Sequence, residues 1–141
     1  YRPTTLAEIE RLRGQNLIVY ENERYGNLYA VDRPTLDFLL DRGAIPVVHI
    51  SQIAGVRALR RYPAEWLSVL LWCPRRVTEQ RAHERGSRDV VARLAAWDET
   101  ATDLTQSRPD DFSLRIDTEQ QTPAEAAATI HARFSARLGE P

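Results

Sequence analysis

The sequence predicts an α/β fold in which helices cover a parallel sheet, and three observations carry that expectation. Two short, nearly continuous apolar runs, "IPVVHI" at 45–50 and "LSVLLW" at 67–72, read as strands buried on both faces. A third strand-like run, "FSLRID", follows at 112–117. Stretches with helical periodicity separate all three, and strands alternating with helices imply parallel crossovers rather than hairpins.

Each element has a local reason. Thr5 and Glu8 stand at capping-box spacing ahead of Leu6, Ile9 and Leu12, which recur at helical intervals, and Gly14 ends that helix. "LIVY" (17–20) and "LYAV" (28–31) read as two strands joined by a turn at Gly26-Asn27, a small antiparallel insertion. Pro34 suits the first turn of a helix that runs to about Arg42 and closes at Gly43. Ser51 is placed to cap "QIAGVRALRRY", which stops before Pro63. Pro74 starts a helix ending near "HERG", and "DVVARLAAWDE" continues helically after a short break. Residues 100–110 read as a polar loop, and Pro123 opens an Ala-rich final helix to about Leu138.

Composition narrows the function classes. At 141 residues with 43% hydrophobic content, the chain fits one domain with a real core. A net charge of −1 offers no basic excess for nucleic acid, and the apolar runs are too short to cross a bilayer. A single cysteine, Cys73, permits no internal disulfide and fits a reducing cytoplasm. All 19 basic residues are arginine, so no lysine can form a Schiff base or serve a phosphate-binding loop. Any bound anion must be held by guanidinium groups or backbone amides. The chain contains no methionine and begins with Tyr1, which points to a protein that continues upstream.

The recognised catalytic strings GxGxxG, CxxC, HExxH and GxSxG do not occur, and His49, His83 and His131 lack metal-ligand spacing. Ligands of open α/β sheets bind at the carboxyl ends of strands, which points to His49, Ser51, Cys73 and Asp117. Arg81, Arg85, Arg88 and Arg93 crowd into "EQRAHERGSRDVVARL". Arg81 and Arg85 share a helix face, where like charges repel unless an anion sits between them or Glu84 and Asp89 neutralise them. Guanidinium forks match phosphate oxygens, so the sharper expectation is a phosphate clamp.

Taken together the segments resemble the guanylate kinase family of P-loop nucleoside monophosphate kinases. "NLIVYENERYGNLYAVDRPTLDFLLDRGAIPVVHI" resembles that family's order of strand, "GNxYG", helix, glycine and buried strand. "LSVLLWCPRRVTEQRAHERG" resembles its strand and arginine-bearing lid, and "ARL" at 92–94 and "FSLRID" fall where it has a second lid arginine and its last strand. The resemblance implies the rest of a monophosphate-binding subdomain over residues 1–33 and a core over 34–141, with a lid at about 81–93. It implies transfer of the γ-phosphoryl of ATP, with Mg²⁺, to a small phosphate-bearing acceptor. The P-loop would lie upstream of Tyr1, and the isolated chain would be inactive. By that resemblance Arg81, Arg85 and Arg93 are the lid arginines, and Tyr1 and Tyr29 contact the acceptor phosphate. Asp117 falls on the cofactor side.

Departures from the family pattern bear on specificity. Tyr20 stands where the family reads guanine with a glutamate, and Glu21 is one place late. Val31 replaces a serine or threonine, and His49 and Ser51 replace paired aspartates. A pocket without that carboxylate leaves guanine's N–H donors unpaired. GMP is therefore not the expected acceptor, and a different monophosphate or a phosphorylated sugar is. The alternative is a catalytically inactive relative that uses the cleft to bind a protein partner.

Overall fold

The computed structural model describes residues 2–24 and 26–139. The chain is mixed α/β and divides into two compact units, Tyr1–Ala64 and Glu65–Pro141. The expected division at 33/34 falls inside the first unit.

The first unit comprises α1 (Leu6–Gly14), β1 (Ile18–Arg24), β2 (Asn27–Asp32), α2 (Arg33–Leu40) and α3 (Ile53–Arg60). Thr5 caps α1 as its spacing predicts, accepting from the Glu8 amide at 3.2 Å. β1 and β2 pair antiparallel, from Ile18↔Asp32 to Arg24↔Asn27, with an irregularity between Ile18 and Tyr20. Gly26 turns the chain with φ +69°, a conformation that glycine adopts without Cβ strain. Asp32 then caps α2, its two carboxylate oxygens accepting from the Thr35 amide and hydroxyl at 2.8 and 2.9 Å. Ile9, Leu12, Leu36, Ile53, Leu59 and Tyr62 are the buried apolar residues of this unit.

The second unit comprises β3 (Val69–Trp72), α4 (Arg75–Glu84), α5 (Val90–Leu104), β4 (Leu114–Asp117) and α6 (Pro123–Leu138). β3 and β4 pair in parallel, Val69↔Leu114 through Trp72↔Asp117, with two helices in the connection between them. α6 opens with a complete capping box: Thr122 and Glu125 exchange side-chain and backbone hydrogen bonds, ahead of Pro123 at N1. Val77, Ala82, Leu94, Ile116 and Ala126 are buried.

Three expectations need correction. The run at 45–50 forms no strand, so each sheet has two strands and no single covered sheet forms among the described residues. Ile45 is 61% and Val47 82% exposed, whereas 46, 48 and 50 are half-buried. An extended run is a strand only when its backbone finds a ladder, and here it covers its unit with one face only. Ser51 does not cap α3. Gln52 occupies the N-cap without a side-chain cap bond, because its side-chain oxygen is taken by Tyr20. Residues 100–104 are helical, not loop: α5 runs on to Leu104, with the Thr100 and Thr102 hydroxyls donating to carbonyls one turn back, at 2.8 and 2.9 Å. Among the described residues no helix is long and apolar enough to cross a membrane.

Candidate functional site

Two regions carry the predicted site residues, one in each unit. The first is the β1–β2 hairpin. Its register sets Tyr20 opposite Val31 and Asn22 opposite Tyr29, so the alternation of a pleated strand puts Tyr20, Asn22, Tyr29 and Val31 on one face. That face meets α3. The Tyr20 hydroxyl donates to Gln52 Oε1, and its ring lies so close to Gly55 that a Cβ there would stand 2.6 Å from the ring and 2.7 Å from Ile50. Glycine at 55 is thus a packing requirement. Glu21 points to the other face and receives both prongs of the Arg13 guanidinium, at 3.2 and 3.0 Å. Tyr20, at the expected base-reading position, and Glu21, one place after it, therefore both hold neighbouring elements in place.

The rest of the predicted acceptor set is scattered. His49 is exposed in the run that was expected to be a buried strand, and Ser51, just after it, is half-buried. Tyr1 lies outside the described residues, as does Tyr25.

The second region is the carboxyl end of the parallel pair, where the sheet rule expects ligands. Trp72 and Asp117 face each other in register, followed by Cys73 and Thr118. The Thr118 amide donates to the Trp72 carbonyl at 2.7 Å, and Asp117 accepts from the Glu119 amide at 2.9 Å, which closes the turn after β4. Across the same end, Trp97 of α5 donates its indole N–H to the Cys73 carbonyl at 3.0 Å and stacks on Trp72, with ring centroids 4.7 Å apart. The Cys73 thiol lies 3.4 Å from the Thr78 hydroxyl.

The predicted arginines separate at this point. Arg93 donates to Asp89 at 2.9 Å, and that bond holds the Asp89 carboxyl below the usual carboxylate range. Arg81 instead donates to two neutral acceptors, the Thr118 hydroxyl at 3.2 Å and the Thr118 carbonyl at 2.5 Å. Arg85 donates its Nε to the Arg81 carbonyl at 3.1 Å, at the C-cap of α4. The carboxylates expected to neutralise this pair are taken elsewhere: Glu84 accepts from Gln80 at 2.8 Å, and Asp89 accepts from Arg93. Among the described residues neither Arg81 nor Arg85 meets a carboxylate. Two positive charges one helical turn apart, on neutral acceptors, favour an anion between them.

The turn after β4 supplies residues that the sequence did not single out. Arg76 pairs with Glu119, a second tie from α4 to the turn that Arg81 grips. Gln121 holds a buried side-chain oxygen without a hydrogen-bond partner among the described residues. No spacing rule marks Thr118, because its partners Trp72 and Arg81 lie far away in the chain, and nothing local marks the buried oxygen of Gln121. Among the described residues no group of three His, Cys, Asp or Glu side chains is placed to hold a metal ion. No protein-family model matches the chain, and a search of curated proteins finds no match.

Proposed function

We propose that this chain is the acceptor-and-lid part of a cytoplasmic phosphotransferase similar to the guanylate kinase family, acting on a small phosphate-bearing acceptor other than GMP. The observation that carries the reading is the Arg81–Arg85 pair, held on neutral acceptors beside the carboxyl end of a parallel strand pair. Catalysis of phosphoryl transfer is chiefly positioning and charge stabilisation, and guanidinium groups without carboxylate partners are suited to charge that develops on the transferred group. The hairpin and helix of 17–43, the strand and arginine-bearing helices of 67–94 and the strand at 112–117 occur in the order the resemblance implies, without the strand at 45–50 or a single covered sheet. Loss of GMP preference is supported by the commitment of Tyr20 to Gln52 and of Glu21 to Arg13.

The donor implied by the resemblance is ATP with Mg²⁺, and the residues present do not fit it. The chain has no lysine for a phosphate-binding loop, and the Asp117 carboxylate already closes its own turn. What these residues do is bind and neutralise an anion.

The test is ATP-dependent phosphorylation by the full-length protein across nucleoside monophosphates and sugar phosphates. Arg85→Ala is expected to lower turnover on the order of 10²-fold, the effect of losing a transition-state donor. Unchanged turnover in that variant removes the lid assignment. A second reading, a non-catalytic module that binds a protein partner, is favoured by the carboxylate pairing of Arg93 and Arg13. It predicts no transfer to any acceptor in the same assay.

A further inference from the structure

Arg81 is the one predicted site arginine that is half-buried, and its acceptors carry no charge. Elsewhere in this unit Arg75 and Arg76 meet the carboxylates of Asp98 and Glu119, and Arg137 donates to the Trp66 carbonyl at 2.5 Å. A carboxylate partner cancels the guanidinium charge and competes with any incoming anion. A hydroxyl and a carbonyl do neither, and a phosphate offers the guanidinium a full opposite charge and a bidentate fit that Thr118 lacks. Thr118 is itself fixed, because its amide and hydroxyl both donate to the Trp72 carbonyl, at 2.7 and 3.2 Å. The acceptor side of the contact is thus rigid, and the arginine is the movable member.

We propose that Thr118 is a latch on Arg81: it stores the guanidinium at the carboxyl end of β3–β4, and a phosphate-bearing ligand must open this clasp to recruit Arg81 beside Arg85. The clasp therefore sets the anion affinity of the arginine pair. This rests on the reading of Arg81 and Arg85 as anion ligands, but it concerns binding and not transfer.

The experiment titrates inorganic pyrophosphate into the protein by calorimetry. Thr118→Val keeps the side-chain shape and removes the hydroxyl acceptor. It is expected to bind pyrophosphate about two- to tenfold more tightly than wild type, the range set by one lost competing hydrogen bond. Thr118→Ser keeps the acceptor and should match wild type. Arg76→Ala loosens the same turn without touching the clasp and should not tighten binding. The proposal is overturned if Thr118→Val binds equally or more weakly, if Arg76→Ala tightens binding to the same extent, or if wild type and Thr118→Val both fail to bind. Should Thr118→Val fail to fold, Thr118→Ala removes the same acceptor and is held to the same outcomes. Binding that behaves as expected without phosphoryl transfer in the full-length protein would sink the kinase reading and leave the latch standing.

Discussion

The hairpin of the first unit and the strand ends of the second both present arginines, polar side chains and aromatic rings, yet they use them differently. In the first unit the arginine meets a charge: Arg13 closes on Glu21 with both prongs, while Tyr20 donates to the neutral Gln52 amide and Tyr62 to the Asp37 carboxylate. At the strand ends Arg81 and Arg85 rest on a hydroxyl and on carbonyls, with their charge unmatched. Similar residue types thus yield a fastening in one place and an anion-ready surface in the other. What separates them is the partner, because a carboxylate neutralises a guanidinium and a carbonyl only orients it.

The largest expected effect tests the fastening. Gly55→Ala puts a Cβ within 2.6–2.7 Å of the Tyr20 ring and Ile50, closer than side chains tolerate. The ring must move, with loss of its bond to Gln52, and the expected cost is about 1–3 kcal/mol in urea unfolding. Gly14→Ala is the control, since nothing lies within 4 Å of a Cβ at that position. Equal stability of the two variants would show that Tyr20 is not held as described.

A smaller effect tests the unmatched charge. Pyrophosphate at ten times its Kd should raise the melting temperature of the protein by about 4 °C, as binding to the native state alone requires. Arg81→Ala should lose most of that rise and Arg13→Ala should keep it. A rise that depends on Arg13 instead would invert the comparison.

The smallest effect is in pH. Tyr62 donates to the Asp37 carboxylate, which holds the phenol above the ordinary tyrosine range, with burial acting in the same direction. A raised folded-state value contributes stability that is complete below the unfolded-state value and is lost as pH rises through the folded one. Alkaline titration should therefore loosen the first unit, read by amide exchange in α2 and α3, and Tyr62→Phe should abolish that step. Carboxylates with lowered values act in the opposite sense in both units: Glu8, held low chiefly by Arg11, Asp89, held low chiefly by Arg93, and Glu125, held low chiefly by the Thr122 backbone, lose their contributions as pH falls through their lowered values.

Where the sequence was legible, the signal was local. Thr5, Pro34, Pro74, Gly86 and Pro123 mark helix ends within one turn of themselves, and the hairpin turn sits at Gly26 as read. The grouping of Arg81 and Arg85 on one helix was legible for the same reason, as helical geometry alone places them four residues apart. Apolar content at 45–50 was equally plain, but a strand needs a partner, and only tertiary structure supplies or withholds one. The same holds for charge. That Glu84 and Asp89 lie near the arginines follows from their spacing; that they turn to Gln80 and Arg93, and that Arg81 finds Thr118 thirty-seven residues on, was decided by the folded chain. Short-range geometry is written into neighbouring residues, whereas the pairing of distant groups depends on which surfaces the packed elements bring together.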